Sequence, residues 1–169
     1  RRFAKSEIVP SNKDRFLRKE TLQGFVHDEA SAFFGGLAGN AGLFSTARDV
    51  ARVYQMLLNG GEIDGQRYLS KETCQLFTTE TSKISRRGLG FDKPDADDPK
   101  KGNCAPAAPA EVYGHTGFTG TCAWVDPVNE LVYVFLSNRI YPDVTNRKLN
   151  QLHIRERIQG AIYDAMKKK

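Results

Sequence analysis

Cysteine is scarce in this sequence, and Cys74, Cys104 and Cys122 stand apart with no C-x-x-C pair. An odd number of thiols cannot all pair within one chain, and their spacing fits no zinc site. They read as two buried, small apolar side chains and one in a loop, which leaves the redox compartment open. Long apolar runs are missing too, so no segment reads as a membrane-spanning helix. The opening residues, Arg1-Arg2-Phe3-Ala4-Lys5, carry charge without the apolar core of a secretory signal. Histidine occurs only as His27, His115 and His153, which argues against a histidine-based metal site. There is no internal repeat and no G-x-S-x-G elbow of an α/β-hydrolase.

What is present places the chain among soluble folded proteins: 40% of its 169 residues are apolar and 27% charged, enough for one domain of ordinary size. The net charge of +5 is unevenly spread. Residues 1–20 hold seven basic against three acidic side chains, residues 147–169 seven against two, and the stretch between them eleven against fifteen. A nucleic-acid groove needs basic residues clustered on one face with aromatics between them, and this pattern is not that. No nucleic-acid partner is expected. Lys167-Lys168-Lys169 reads as a solvated helix end opposing the negative pole of the dipole.

Two helices are clear. Val50, Val53, Tyr54, Leu57 and Leu58 recur with helical spacing, Thr46 stands at the cap position with Asp49 three residues on, and Gly60-Gly61 follow. Near the C-terminus Ile154, Ile158, Ala161, Ile162 and Ala165 share one helical face and are expected to pack on the core. A shorter helix is expected from Ser70, with Leu69 and Cys74 at staple positions. Between these lie three strands: residues 112–116, 121–125 and 131–136, the last two joined by the turn Asp126-Pro127-Val128-Asn129. Residues 92–110 hold four of the seven prolines and read as a long surface loop. The order of elements predicts α+β with an antiparallel meander. Such a meander leaves the apolar strand at 131–136 with an open edge.

Two segments could carry chemistry. In Tyr113-Gly114-His115-Thr116-Gly117-Phe118-Thr119-Gly120-Thr121, glycines bracket a polar strand end and allow a ligand to approach the backbone closely. A histidine there can hydrogen-bond a carboxylate or exchange protons near neutral pH. On local physics alone, a glycine-rich connection with a surface histidine is about as good a reading. The second segment, Val26-His27-Asp28-Glu29, precedes a loop with glycines at 35, 36, 39 and 42. Adjacent residues on extended chain point to opposite faces, so His-Asp-Glu is not by itself a metal site.

Taken together, V-H-D-E, G-G-L-A-G-N-A-G-L-F-S-T-A-R-D-V-A, M-L-L-N-G-G and G-H-T-G-F-T-G-T resemble the β-lactamase-related serine hydrolases, a family that includes class C β-lactamases, penicillin-binding proteins, D-amino-acid peptidases and carboxylesterases. The resemblance spans about residues 8–140. It implies a β-lactamase/transpeptidase-like fold, in which the meander completes a five-stranded sheet flanked by helices and the terminal helix packs on that sheet. It also implies acyl-enzyme hydrolysis of an amide, lactam or ester without a cofactor or metal. His115-Thr116-Gly117 would be the strand motif forming one wall of the cleft, and Phe118 would give a backbone N–H to the oxyanion hole. His27 and Asp28 would sit on the opposite rim and contact substrate, although a structural duty is the plainer reading of each. Asn40 stands where relatives often carry histidine. The resemblance points to a periplasmic or secreted protein.

The sequence departs from the family in two places. No serine is followed by lysine at the third position, and no tyrosine by asparagine at the second. In the family both motifs lie upstream of everything recognised here. Residues 1–169 are therefore expected to be the C-terminal portion of one domain: 1–80 the end of its helical region with the rim loop, and 81–169 the strands, the loop at 92–110 and the last helix. The nucleophile-bearing N-terminal half would be absent, and the isolated chain inactive. Its partners would be a substrate, that missing half, or a second copy along the open sheet edge. Two other readings remain at this point: a penicillin-recognising fold serving as a non-catalytic binding or regulatory module, and a small α+β interaction protein.

Overall fold

A computed structural model describes residues 3–79, 84–95, 97–98 and 102–167. Arg1, Arg2, the last two lysines, and residues 96 and 99–101 of the expected loop lie outside the described residues.

The chain begins with a small antiparallel hairpin of β1 (Pro10–Lys13) and β2 (Thr21–Gln23), which buries Leu22. Neither strand was read from the sequence, because both are too short and polar to show alternation. The rim segment then leads into α1 (Glu29–Phe33) and the glycine loop into α2 (Ala47–Leu58). Thr46 caps α2 as expected, its hydroxyl accepting from the Asp49 N–H at 3.1 Å. A two-residue hairpin, β3 (Glu62–Ile63) and β4 (Gln66–Arg67), precedes α3 (Lys71–Thr78), which Ser70 caps through the Thr73 N–H.

The three expected strands follow as β5 (Tyr113–Thr116), β6 (Cys122–Asp126) and β7 (Leu131–Phe135), antiparallel and in that spatial order. Trp124 lies opposite Gly114 on one side and Tyr133 on the other, and Ala123 opposite His115 and Val134. All of β6 is buried because both faces of the sheet are covered. On one face Cys122, Trp124 and Tyr133 meet Cys104 and Val112 in the main core cluster. On the other, α2 packs against β6 and β7, with Tyr54, Phe91 and Tyr113 in edge-to-face contact. The Asp126 carboxylate ties the β6–β7 turn by accepting from the N–H groups of Val128 and Asn129.

The last helices are α4 (Lys148–Gln151) and α5 (Ile154–Met166). Here the sequence-based expectation is corrected. The face of α5 that the fold buries is Arg155, Gln159 and Tyr163, while Ile158, Ala161 and Ala165 are exposed and only Ile162 reaches the core cluster. The reason is hydrogen bonding. Gln159 Oε1 accepts from the Ala105 N–H at 2.8 Å, the Tyr163 hydroxyl donates to Asp126 Oδ2 at 2.8 Å, and Arg155 donates to the Thr121 carbonyl. These long side chains satisfy buried groups of the sheet and loop that an apolar stripe could not.

Residues 92–110 also differ from a plain surface loop. Asp92, Lys93, Cys104 and Ala105 are buried, and Asp92 pairs with Gly114 as a β-bridge along the outer edge of β5. All three cysteines are buried, and burial pushes the thiols of Cys104 and Cys122 up to about 12 and about 11. At the opposite edge, β7 has no neighbouring strand among the described residues. No helix among them is long and apolar enough to cross a membrane.

Candidate active site

The site is built on the turn joining β5 to β6. Gly117 N–H donates to the Thr121 carbonyl at 2.8 Å, and Gly120 N–H to the Gly117 carbonyl at 2.9 Å. A Cβ at 117 would lie 2.3 Å from Thr121 Oγ1, so a side chain there would force that hydroxyl to move. The backbone bonds that close this turn do not use the Phe118 N–H. The Phe118 ring stands out from the turn, 58% exposed.

His115 points from β5 with both ring nitrogens engaged. Nδ1 lies 2.7 Å from the Thr116 carbonyl, to which it donates, and Nε2 accepts from Arg87 at 3.2 Å. This pattern selects the neutral tautomer with the proton on Nδ1. Arg87 reaches His115 because its segment runs beside β5. Gly88 N–H bonds the Phe91 carbonyl to close a turn, and Asp92 then exchanges two backbone bonds with Gly114 at 2.7 and 3.0 Å. Arg86 and Asn103 hold the Asp92 carboxylate at 2.8 Å each. Burial alone would raise that carboxyl, but Asn103 and Arg86 outweigh it and leave it below its ordinary value.

The rim loop is pinned independently. Asp14 accepts from the N–H groups of Phe16, Leu17 and Arg18 and from Arg18 Nε at 2.6 Å. The Arg18 partner and these backbone donors hold its carboxyl at about 2 against the cost of burial. Arg18 in turn donates to the carbonyls of Val26 and His27 at 2.8 and 2.9 Å. Asp28 caps α1 through the Ser31 N–H at 2.7 Å, and Asn40 donates to the same carboxylate at 3.3 Å. The Ser31 N–H, the Ser31 hydroxyl and Asn40 together keep the Asp28 carboxyl below its usual value. At Gly42, φ is +118° and a Cβ would fall 2.5 Å from the Gly36 carbonyl oxygen, so the loop closes only with glycine there.

These two separately built pieces meet. The His27 ring stacks on Phe118, with centroids 5.3 Å apart and planes 8° from parallel. The Arg139 guanidinium lies 4.8 Å from the centroid of the same phenyl ring, and its backbone N–H bonds the Thr119 carbonyl at 2.8 Å. Burial lowers the His27 pKa, Arg18 and Arg139 push it further down, and Asp28 opposes them. The result is a neutral imidazole against an aromatic face, beside a strand end that offers backbone N–H and a second imidazole.

Of the residues singled out in the sequence, His115, Thr116, Gly117, Phe118 and His27 come together, while the carboxylate of Asp28 is committed to the helix cap. Sequence reasoning missed Arg18, Arg87 and Arg139. The Arg86-Arg87 pair ahead of a glycine turn was a visible signal, but its target depends on the Asp92 bridge. A cleft of about 480 Å³ lies elsewhere, near the start of β5, lined by Leu57, Cys74, Thr78 and Tyr113. It includes neither His115 nor Phe118.

Comparison with known proteins places the chain in a family. Residues 6–156 match the family model described as Beta-lactamase. The chain belongs to the β-lactamase family. A protein of Escherichia coli (strain K12) named "Putative D-alanyl-D-alanine carboxypeptidase" is 37% identical over 135 residues, covering 79% of this chain and 31% of its own length. Proteins of the same name from Salmonella agona (strain SL483) and Salmonella typhi match with the same identity and coverage. The chain thus spans about a third (31%) of the length of these curated relatives.

Proposed function

We propose that this chain is the C-terminal portion of a serine hydrolase that cleaves an amide bond through an acyl-enzyme, on a peptide ending in D-alanyl-D-alanine. The observation that carries this reading is the stack of His27 on Phe118, which brings the rim loop against the end of the His115-Thr116-Gly117 strand. The relatives' names supply the substrate class.

In this reading the nucleophilic serine and its lysine come from a part of the protein outside residues 1–169, since the sequence holds no Ser-x-x-Lys. The attacked carbonyl oxygen becomes an oxyanion, which the Phe118 N–H would stabilise beside a donor from the nucleophile's own backbone. His115, neutral with its proton on Nδ1, orients the substrate or carries a proton at Nε2 once Arg87 yields that atom. His27 shapes the opposite rim, and Asp28 holds the rim loop by capping α1. The open edge of β7 would pair with two further strands of the longer protein to complete a five-stranded sheet.

The test is release of D-alanine by the longer protein that carries this chain. His115→Ala is expected to lower kcat/KM by about 10–1,000-fold, or about 1.4–4 kcal/mol, with little change in melting temperature. Wild-type kinetics in that variant would make His115 scaffold. Tight peptide binding without any turnover would favour a binding module.

A further inference from the structure

The rim loop and the turn after β5 come from distant parts of the chain, and a second connection joins them besides the His27–Phe118 stack. It runs through Ser137-Asn138-Arg139, just past β7. The Ser137 hydroxyl donates to the Gly120 carbonyl at 2.9 Å, and the Arg139 N–H to the Thr119 carbonyl at 2.8 Å, so both hold the turn. Asn138, between them, serves the other part, in keeping with the alternation of an extended segment. Its Nδ2 donates to the carbonyls of Pro10 and Ser11, the latter at 3.2 Å, while its Oδ1 accepts from the Ile140 N–H at 3.2 Å. Both ends of the amide are used, and an aspartate would lack the donor. On the far side of these bonds β1 is irregular. Pro10 and Asn12 pair with Gln23 and Leu22, so Ser11 is the extra residue of a β-bulge. Ser11 is buried and bonded in both directions. Its carbonyl takes Asn138, and its hydroxyl donates at 2.7 Å to the carbonyl of Phe25, two residues before His27.

We infer that Asn138 and Ser11 are positioning residues that fix the rim loop against the turn after β5, and with it the place of His27 beside a bound substrate. The inference rests on the proposed acyl-hydrolase reading and names what holds the rim in register. The links run in series, from Asn138 to Ser11 and from Ser11 to Phe25, so loosening either one frees the same loop. Losses at the two positions therefore do not add. In that reading the rim touches the body of the substrate and not the reacting carbonyl, so its displacement raises KM. Loss of folded protein would instead lower apparent kcat at an unchanged KM.

The experiment uses the longer protein with Asn138→Asp, Ser11→Ala and the double variant. It reads kcat and KM for D-alanine release from an N-acyl-D-alanyl-D-alanine peptide, and the NMR shifts of the His27 ring protons, which the Phe118 ring current displaces while the two rings stack. Each single variant should raise KM by about three- to tenfold, the value of roughly one hydrogen bond, with kcat within about twofold. The double variant should be no worse than the more damaged single one, and the His27 signals should move toward their position in Phe118→Leu. Should Asn138→Asp fail to fold, Ser11→Ala, which removes one hydroxyl, decides by its KM and its His27 signals. Unchanged KM, a fall in kcat alone, or effects that multiply in the double variant would overturn the inference. The ring signals separate it from the hydrolase reading. Signals that move in a protein never releasing D-alanine would keep the positioning role and remove the hydrolase. Signals and KM that stay fixed in a protein releasing D-alanine normally would do the reverse, and fixed signals without turnover would remove both.

Discussion

The sheet region and the region before it treat apolar side chains in opposite ways. In the sheet, Trp124, Val125, Val112 and Ile140 are sealed from solvent. Between residues 15 and 45, Leu22 and Val26 are the buried large apolar residues, while Phe16, Phe33, Phe34, Leu37 and Leu43 stand exposed, Leu43 by 87%. The outward stripe of α5 at Ile158 repeats the pattern within the C-terminal part. Isolated apolar residues at a surface are ordinary, but several large ones grouped on one stretch mark a surface that something else covers. The difference teaches that the sheet is stabilised from within this chain, whereas the rim region and the outer face of α5 fit a chain that represents a third of its relatives' length.

The strongest way to break that contrast is by truncation. Trp124→Ala should cost about 3–5 kcal/mol in urea unfolding, since it empties the centre of the core cluster. Phe33→Ser or Leu43→Ser should cost under about 0.5 kcal/mol in the isolated chain and clearly more in the longer protein. Equal costs in both contexts would remove the argument that these residues await a cover. On α5 the expected ranking inverts ordinary intuition. Gln159→Ala should destabilise by about 1–3 kcal/mol because it orphans the buried Ala105 N–H, whereas Ile158→Ser should be nearly neutral in the isolated chain.

A smaller effect sharpens the join between the regions. Burial, then Arg18 and Arg139, holds the His27 imidazole below its ordinary 6.5 despite Asp28. A lowered folded pKa means that protons favour the unfolded chain. The contribution is therefore full above 6.5 and is lost as pH falls through the lowered folded value. Melting temperature should decline slightly between pH 7.5 and 5.5, and His27→Gln should flatten that decline. A decline that survives the substitution unchanged would place the titrating group elsewhere.

Much of this was legible beforehand, for identifiable reasons. The capped stripe of α2, the cap at Ser70 and the three strands are local patterns, and each forms as read. The motif G-H-T-G-F-T-G-T was recognisable because its glycines answer local constraints, Gly114 the close approach of the Ala123 carbonyl and Gly120 a φ of +106°. The burial of Arg155, Gln159 and Tyr163 was not legible, since it depends on hydrogen-bond partners at Thr121, Ala105 and Asp126 that lie 34 to 54 residues away. Arg87 was missed for the same reason, its partner being 28 residues on.

Residues 1–169 are proposed to form one wall of an acyl-transfer cleft whose nucleophile lies elsewhere in the protein. Acylation of the longer protein with a β-lactam, followed by peptide mapping, tests it most directly. A single adduct is expected on a serine outside residues 1–169, and none on the isolated chain under the same conditions. An adduct on any serine within residues 1–169 would contradict it.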